Sequence, residues 1–228
     1  MKRSTQYSTA IIMGTILLLL CSIFVLAQDT TLPFNKEILA FKKLDSISFP
    51  PKHTILFVGS SSFTNWKDVQ EYFPRQTIIN RGFGGSSFPD VIRYYREVIF
   101  PHKAKQVVIY CGENDLAASD TVTAQLVFQR FKQLFTIIKK NDQSVSLAFV
   151  SIKPSPSRRH LWPKVEAANQ LIKNYLTTKK KTAFIDVYHP MFNNDGTVKS
   201  EIFLEDSLHM NAKGYRIWQK IIKPYLVK

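Results

Sequence analysis

The apolar run Ile55-Leu56-Phe57-Val58 ends in Gly59 and three consecutive serines, Ser60-Ser61-Ser62. A serine hydroxyl is a poor nucleophile near neutral pH and attacks a carbonyl only when a base takes its proton as it does so. Near the other end of the chain, Asp206-Ser207-Leu208-His209 sets an imidazole, which titrates near physiological pH, three residues after a carboxylate. Between them, Asn80-Arg81-Gly82-Phe83-Gly84-Gly85-Ser86 and Cys111-Gly112-Glu113-Asn114-Asp115 offer backbone and side-chain amides. Amides of this kind can receive the negative charge of a tetrahedral intermediate. Taken singly, each block has a plainer use. A serine after a strand caps a helix, as Asp206 and His209 could do for the last one. A glycine cluster makes a tight turn, and Asn-Asp closes a loop.

These blocks need elements to hold them. Runs rich in β-branched and aromatic residues at 54–58, 77–80, 106–110, 144–151 and 182–187 predict strands. Helical spacing fills the intervals. It is clearest over 121–141, where Val122, Leu126, Phe128, Phe131, Leu134, Phe135 and Ile138 recur every three or four residues. Segments 89–100, 162–178 and 211–226 read similarly, and 34–44 predicts a short helix ahead of the first strand. Nearly continuous apolar strands separated by helices indicate an α/β fold with a parallel sheet covered on both faces. In such sheets ligands bind beyond the carboxyl ends of the strands, where these blocks fall.

Together and in this order, the blocks resemble those of the SGNH, or GDSL-type, hydrolase family, over most of the chain from Ile55 to about Trp218. The family's Gly-Asp-Ser falls on Gly59-Ser60-Ser61. That alignment implies Ser61 as nucleophile, with Ser60 standing where the family has aspartate. The second block implies Gly85 and the third, Gly-x-Asn-Asp, implies Asn114 as oxyanion donors beside the Ser61 N–H. The last matches Asp-x-x-His and implies His209 as base with Asp206 orienting it. A branch with Gly-Ser-Ser-Ser and a nearby Trp is closer still, and Lys153-Pro154-Ser155-Pro156-Ser157-Arg158 also fits it. The resemblance implies a flavodoxin-like three-layer α/β/α sandwich with a five-stranded parallel sheet. It implies no cofactor.

Other candidates have ordinary readings. Cys111, at the end of an apolar strand, reads as a buried packing residue. His53, His102, His160 and His189 lack a spacing that would gather metal ligands, so no metal site is expected. Asp186 and Asp195 fit a polar loop, and Arg158 and Arg159 a solvated one. Trp66, Phe83 and Phe88 suit either an acyl or sugar pocket or the core.

The N-terminus stands apart. Lys2 and Arg3 precede an apolar stretch over 10–27, and Val25-Leu26-Ala27 suits a signal peptidase, so 1–27 reads as a signal peptide or a membrane anchor. Leu18-Leu19-Leu20 before Cys21 lacks the small residue of a lipoprotein signal. The expectation is an exported domain over 28–228, periplasmic or extracellular. Beyond residue 27 only Cys111 remains, so no internal disulfide forms there. That part carries 29 basic and 17 acidic residues, net +12, a charge that favours acidic glycans, phospholipid headgroups or simple solubility. No nucleic-acid recognition motif accompanies it. The resulting expectation is a serine esterase acting on an O-acetyl or short acyl ester of a carbohydrate or lipid. Two alternatives are an acyltransferase to a glycan acceptor and a silent module that binds acylated glycan or lipid.

Overall fold

Alternate residues of the first strand, Ile55 and Phe57 against Leu56 and Val58, enter two different hydrophobic clusters, one on each face of a single sheet. The computed structural model describes residues 32–227. The expected leader or anchor at 1–27 lies outside the described residues. Among the described residues, no helix is long and apolar enough to cross a membrane.

The strands are β1 (Ile55–Gly59), β2 (Ile78–Gly82), β3 (Gln106–Tyr110), β4 (Ser146–Val150) and β5 (Thr182–Ile185). All pair parallel in the order β2-β1-β3-β4-β5. The helices, in chain order, are α1 (Asn35–Ile47), α2 (Ser61–Thr64), α3 (Val69–Tyr72), α4 (Phe88–Arg93), α5 (Tyr95–Val98), α6 (Glu113–Ala117), α7 (Ala124–Asn141), α8 (Trp162–Thr177) and α9 (Ala212–Ile222). One face of the sheet packs against α1, α4, α5, α7 and α8, through residues such as Ile38, Val91, Phe131 and Ile172. The other packs against α2, α3 and α9 through Phe63, Val69 and Trp218. This is the expected three-layer α/β/α sandwich. Because both faces are covered, the central strands β1, β3 and β4 are buried along nearly their whole length, as their continuous apolar runs require, while the edge strands β2 and β5 are partly exposed.

Element ends follow local chemistry. The Thr123 hydroxyl accepts the Leu126 N–H and starts α7 three residues later than periodicity suggests. The helix expected over 89–100 is broken at Tyr94 (φ −105°, ψ 15°) into α4 and α5. Asn211 caps α9 by accepting the Lys213 and Gly214 N–H groups, which removes that role from Asp206 and His209. Trp66, Phe83 and Phe88 are core residues, each fully or almost fully buried.

The return of α1 to the sheet is electrostatic as well as apolar. Asp45 takes an ion pair from Arg81 of β2, and His102 lies buried behind it, stacked on Phe49. Neither His102 ring nitrogen has a hydrogen-bond partner. Burial first, then the Arg81 charge, lowers its pKa to about 4. A histidine kept neutral in the fold but free to charge when unfolded contributes stability above about pH 6.5 that is lost as pH falls toward 4. In urea titrations from pH 7.5 to 4.5, wild type should therefore lose stability more steeply than His102→Phe, with a difference on the order of 2–3 kcal/mol at the acid end.

Candidate active site

The site is built where β1, β3 and β4 end. Gly59, at φ 134°, lies so close to β3 that a Cβ there would sit 1.9 Å from the Tyr110 carbonyl oxygen. This close approach turns the chain sharply out of β1, and α2 begins at Ser61. Ser60 occupies the cap position of α2 but makes no capping bond. Its buried hydroxyl instead accepts Asn114 Nδ2–H at 2.7 Å. Ser62 is buried, and its carbonyl accepts the Tyr215 hydroxyl at 3.0 Å. Ser61 is the partly exposed member of the run. Among the described residues its hydroxyl has no hydrogen-bond partner, His209 included.

The same Asn114 amide also donates to the Ser86 carbonyl at 3.1 Å. One side chain thus touches the neighbour of Ser61 and the neighbour of Gly85. The Ser86 hydroxyl, bonded to the Gly59 carbonyl at 3.1 Å, closes the same junction from β1. The N–H groups of Ser61 and Gly85 donate to no described residue. Gly85 has φ 83°, a left-handed conformation that favours glycine. A Cβ there would meet nothing closer than Phe34 at 3.8 Å, so backbone angle rather than crowding selects the residue.

Asn114 sits in α6, whose other residues anchor it. The buried Asp115 carboxylate accepts the Phe88 N–H at 2.9 Å and Arg130 at 2.8 Å, fixing α6 against the start of α4. Glu113, also buried, accepts the Tyr110 hydroxyl at 2.7 Å, Lys153 Nζ at 2.5 Å and the Ser155 hydroxyl. Burial alone would push the Glu113 carboxyl up, but the Lys153 ammonium and its other donors hold it below its ordinary value. The Lys153 ammonium is lowered by its own burial, against the pull of Glu113. Arg158 Nη1 then reaches Asn114 Oδ1 at 3.0 Å and stands 3.6 Å from Glu113.

Asp206 and His209 meet, though not on a helical turn. Asp206 Oδ1 accepts the N–H groups of Leu208 and His209, each at 2.9 Å, while Oδ2 holds His209 Nδ1 at 2.6 Å. Ser207 adopts φ 52°, so the pair occupies a tight turn ahead of α9. Burial opposes ionisation of Asp206, but those two N–H groups and the imidazole together outweigh it and bring its pKa down to about 2. This turn is tied toward the serines from two sides. Ser157 N–H and Oγ both donate to the Ser207 carbonyl at 3.0 Å. Tyr215, from α9, holds Ser62.

A second turn repeats this geometry. Asp186 Oδ1 accepts the N–H groups of Tyr188 and His189 at 3.0 and 3.3 Å, and Oδ2 holds His189 Nδ1 at 2.7 Å. It follows edge strand β5 and lines a cavity of about 360 Å³ with Glu166, Asn169 and Lys173. The His189 side chain is 79% exposed against 26% for His209. The Asp186-x-x-His189 spacing was there to be read, but Asp186 read as part of a polar loop. Arg158 is likewise no solvated loop residue, since it is bonded into the site. Its signal, with Lys153 and Ser155, is the 153–158 block directly after an apolar strand.

A doubly covered parallel sheet with a serine turn after its first strand and an Asp–His turn before its last helix is the layout of a carboxylic ester hydrolase. The sequence profile of the GDSL-like lipase/acylhydrolase family matches residues 45–217, and the chain belongs to that family. No curated protein matches the chain. Among solved structures, the fold is similar to a candidate platelet activating factor from Streptococcus pneumonia, with TM-score 0.74, 19% identity, and 93% of this chain and 99% of that one covered. It is similar to a GDSL-like lipase from Bacteroides thetaiotaomicron, with TM-score 0.70, 21% identity, and 82% and 95% covered. It is also similar to a variant of an acetyl-xylooligosaccharide esterase from Geobacillus, with TM-score 0.62, 13% identity, and 78% and 96% covered.

The buried pair generates a test of the site's framework. Lys153→Met should destabilise the protein by about 3–5 kcal/mol in urea denaturation, because the Glu113 carboxylate loses its main compensating charge. Adding Glu113→Gln should recover part of that loss.

Proposed function

We propose that the protein is an exported serine esterase that removes an O-acetyl or short acyl group from a carbohydrate or lipid through an acyl-enzyme intermediate. The observation that carries the reading is the double contact of Asn114 with Ser60 and Ser86. It draws the unused N–H groups beside them, on Ser61 and Gly85, toward one place with the amide itself. Three such donors suit the oxyanion formed when an ester carbonyl is attacked.

In this reading the Ser61 hydroxyl attacks the carbonyl carbon and His209 Nε2 takes its proton. Asp206, ionised down to about pH 2, holds the imidazole by Nδ1 and stabilises the imidazolium. The protonated His209 then gives its proton to the departing alcohol oxygen. Water, deprotonated by the same nitrogen, attacks the acyl-enzyme and releases the acid. The Ser61–His209 hydrogen bond closes when substrate enters, as such bonds often do. A short acyl group on a sugar alcohol agrees with what the Geobacillus esterase is named for acting on, and the positive charge of the chain suits an acidic glycan or a phospholipid headgroup. Export rests on residues 1–27, and the mass of the secreted chain tests it.

Hydrolysis of p-nitrophenyl acetate is the direct measurement. Ser61→Ala and His209→Ala should each lower kcat by about 10⁴-fold or more, and Asn114→Ala by roughly 10²–10³-fold. His189→Ala should stay within about twofold of wild type, since the cavity it lines includes none of Ser60, Ser61 and Ser62. Activity that survives Ser61→Ala but is lost in Ser60→Ala would move the nucleophile by one residue. The reverse pattern in the two histidines would move the triad to the β5 turn.

A further inference from the structure

Arg158 is not needed to satisfy Glu113. Both oxygens of that carboxylate already carry hydrogen bonds, from Lys153 and Tyr110 on one and Ser155 on the other, and Lys153 balances its charge. The guanidinium approaches Glu113 only to 3.6 Å, without a hydrogen bond, and spends its directed contact on Asn114 Oδ1. Two cations therefore surround one carboxylate in a largely buried cluster, and Arg158 is 22% exposed. In the resting protein the Arg158 charge works against the Lys153 ammonium, with the Asp206 carboxylate partly offsetting it. An arrangement of that kind becomes favourable when negative charge develops beside it.

From this geometry we infer that Arg158 is a positioning residue for the oxyanion hole, locking and polarising the Asn114 amide from behind. The inference rests on the esterase reading above. An asparagine side chain can turn over by half a rotation, exchanging its donor for its acceptor. With Arg158 bonded to Oδ1, the carbonyl end is held away and both Nδ2 hydrogens point to Ser60 and Ser86. The bond received at Oδ1 also withdraws electron density through the amide and strengthens what Nδ2 donates. During turnover the hydrogen now given to Ser60 Oγ is available to the substrate's oxyanion, and the Arg158 charge acts through the amide plane. Arg158 itself touches neither the substrate nor the nucleophile.

A double-mutant cycle tests this on p-nitrophenyl acetate, a small neutral ester that needs no cation for binding. Arg158→Ala should lower kcat by about 10–100-fold with KM within about threefold, and Arg158→Lys should recover most of the loss. In the Asn114→Ala background, Arg158→Ala should change kcat by less than about twofold, because the residue acts only through that amide. Should Arg158→Ala not fold, Arg158→Gln enters the same cycle with the same near-silent result expected. An equal loss in both backgrounds, a loss confined to KM, or an unchanged kcat would overturn the inference while leaving a Ser61-dependent esterase intact. A wild-type protein inert toward this and other short acyl esters would overturn the esterase reading, and the inference with it.

Discussion

A carboxylate and an ammonium buried together beneath the ends of β3 and β4 are the constraint around which the rest of the site is arranged. Moving either charge out of water is unfavourable, and their attraction offsets this only when the remaining donors and acceptors are also satisfied. Glu113 and Lys153 meet that condition with Tyr110 and Ser155. Glu113 opens α6 and Lys153 lies in the segment after β4, so the requirement to keep the pair together holds those two segments in one relative position. Asn114 follows Glu113 directly, and Arg158 and Ser157 follow Ser155 closely. The bond network runs on from Ser157 to the turn that carries His209.

The sheet supplies the other half of the arrangement. Gly59 presses against the Tyr110 carbonyl, and the chain leaves β1 with its serines beside the end of β3. Asp115 ties α6 to α4, and the Ser86 hydroxyl ties the glycine loop to β1. The proposed donors thus sit on backbone fixed by neighbouring strands. The Asp206–His209 turn belongs to a longer connection, held mainly through Ser157, its own carboxylate and the anchoring of α9.

The fold was legible because it depends on short-range pattern. Apolar runs marked every strand, and three- and four-residue spacing marked α7 and α8. The break at Tyr94 was not legible, since nothing in the periodicity of 89–100 distinguishes one helix from two. The local blocks around Ser61, Gly85, Asn114 and His209 could be read for the same reason, each being a few residues long. The pairing of Glu113 with Lys153 behind Asn114 could not. Residues 113 and 153 are forty positions apart, and a lysine or an arginine in a loop ordinarily faces water. For the aromatic residues near the serines, sequence left pocket and core equally open. Trp66, Phe83 and Phe88 are close in sequence to the site but fill the two cores, so proximity along the chain did not decide their role.

The twin Asp-x-x-His turns show that four residues suffice to present an oriented imidazole wherever a strand or loop can end in one. Such a turn is a self-contained part, assembled from its own carboxylate and two of its own amides. What distinguishes the two copies is their surroundings, since the β5 copy opens on a cavity lined by Glu166, Asn169 and Lys173, with the Ser151 hydroxyl already bonded to the Val187 and Tyr188 N–H groups. The chain therefore carries a spare proton-accepting module at the rim of a cavity, a ready starting point for introducing a second reactive centre by placing a nucleophile across from His189.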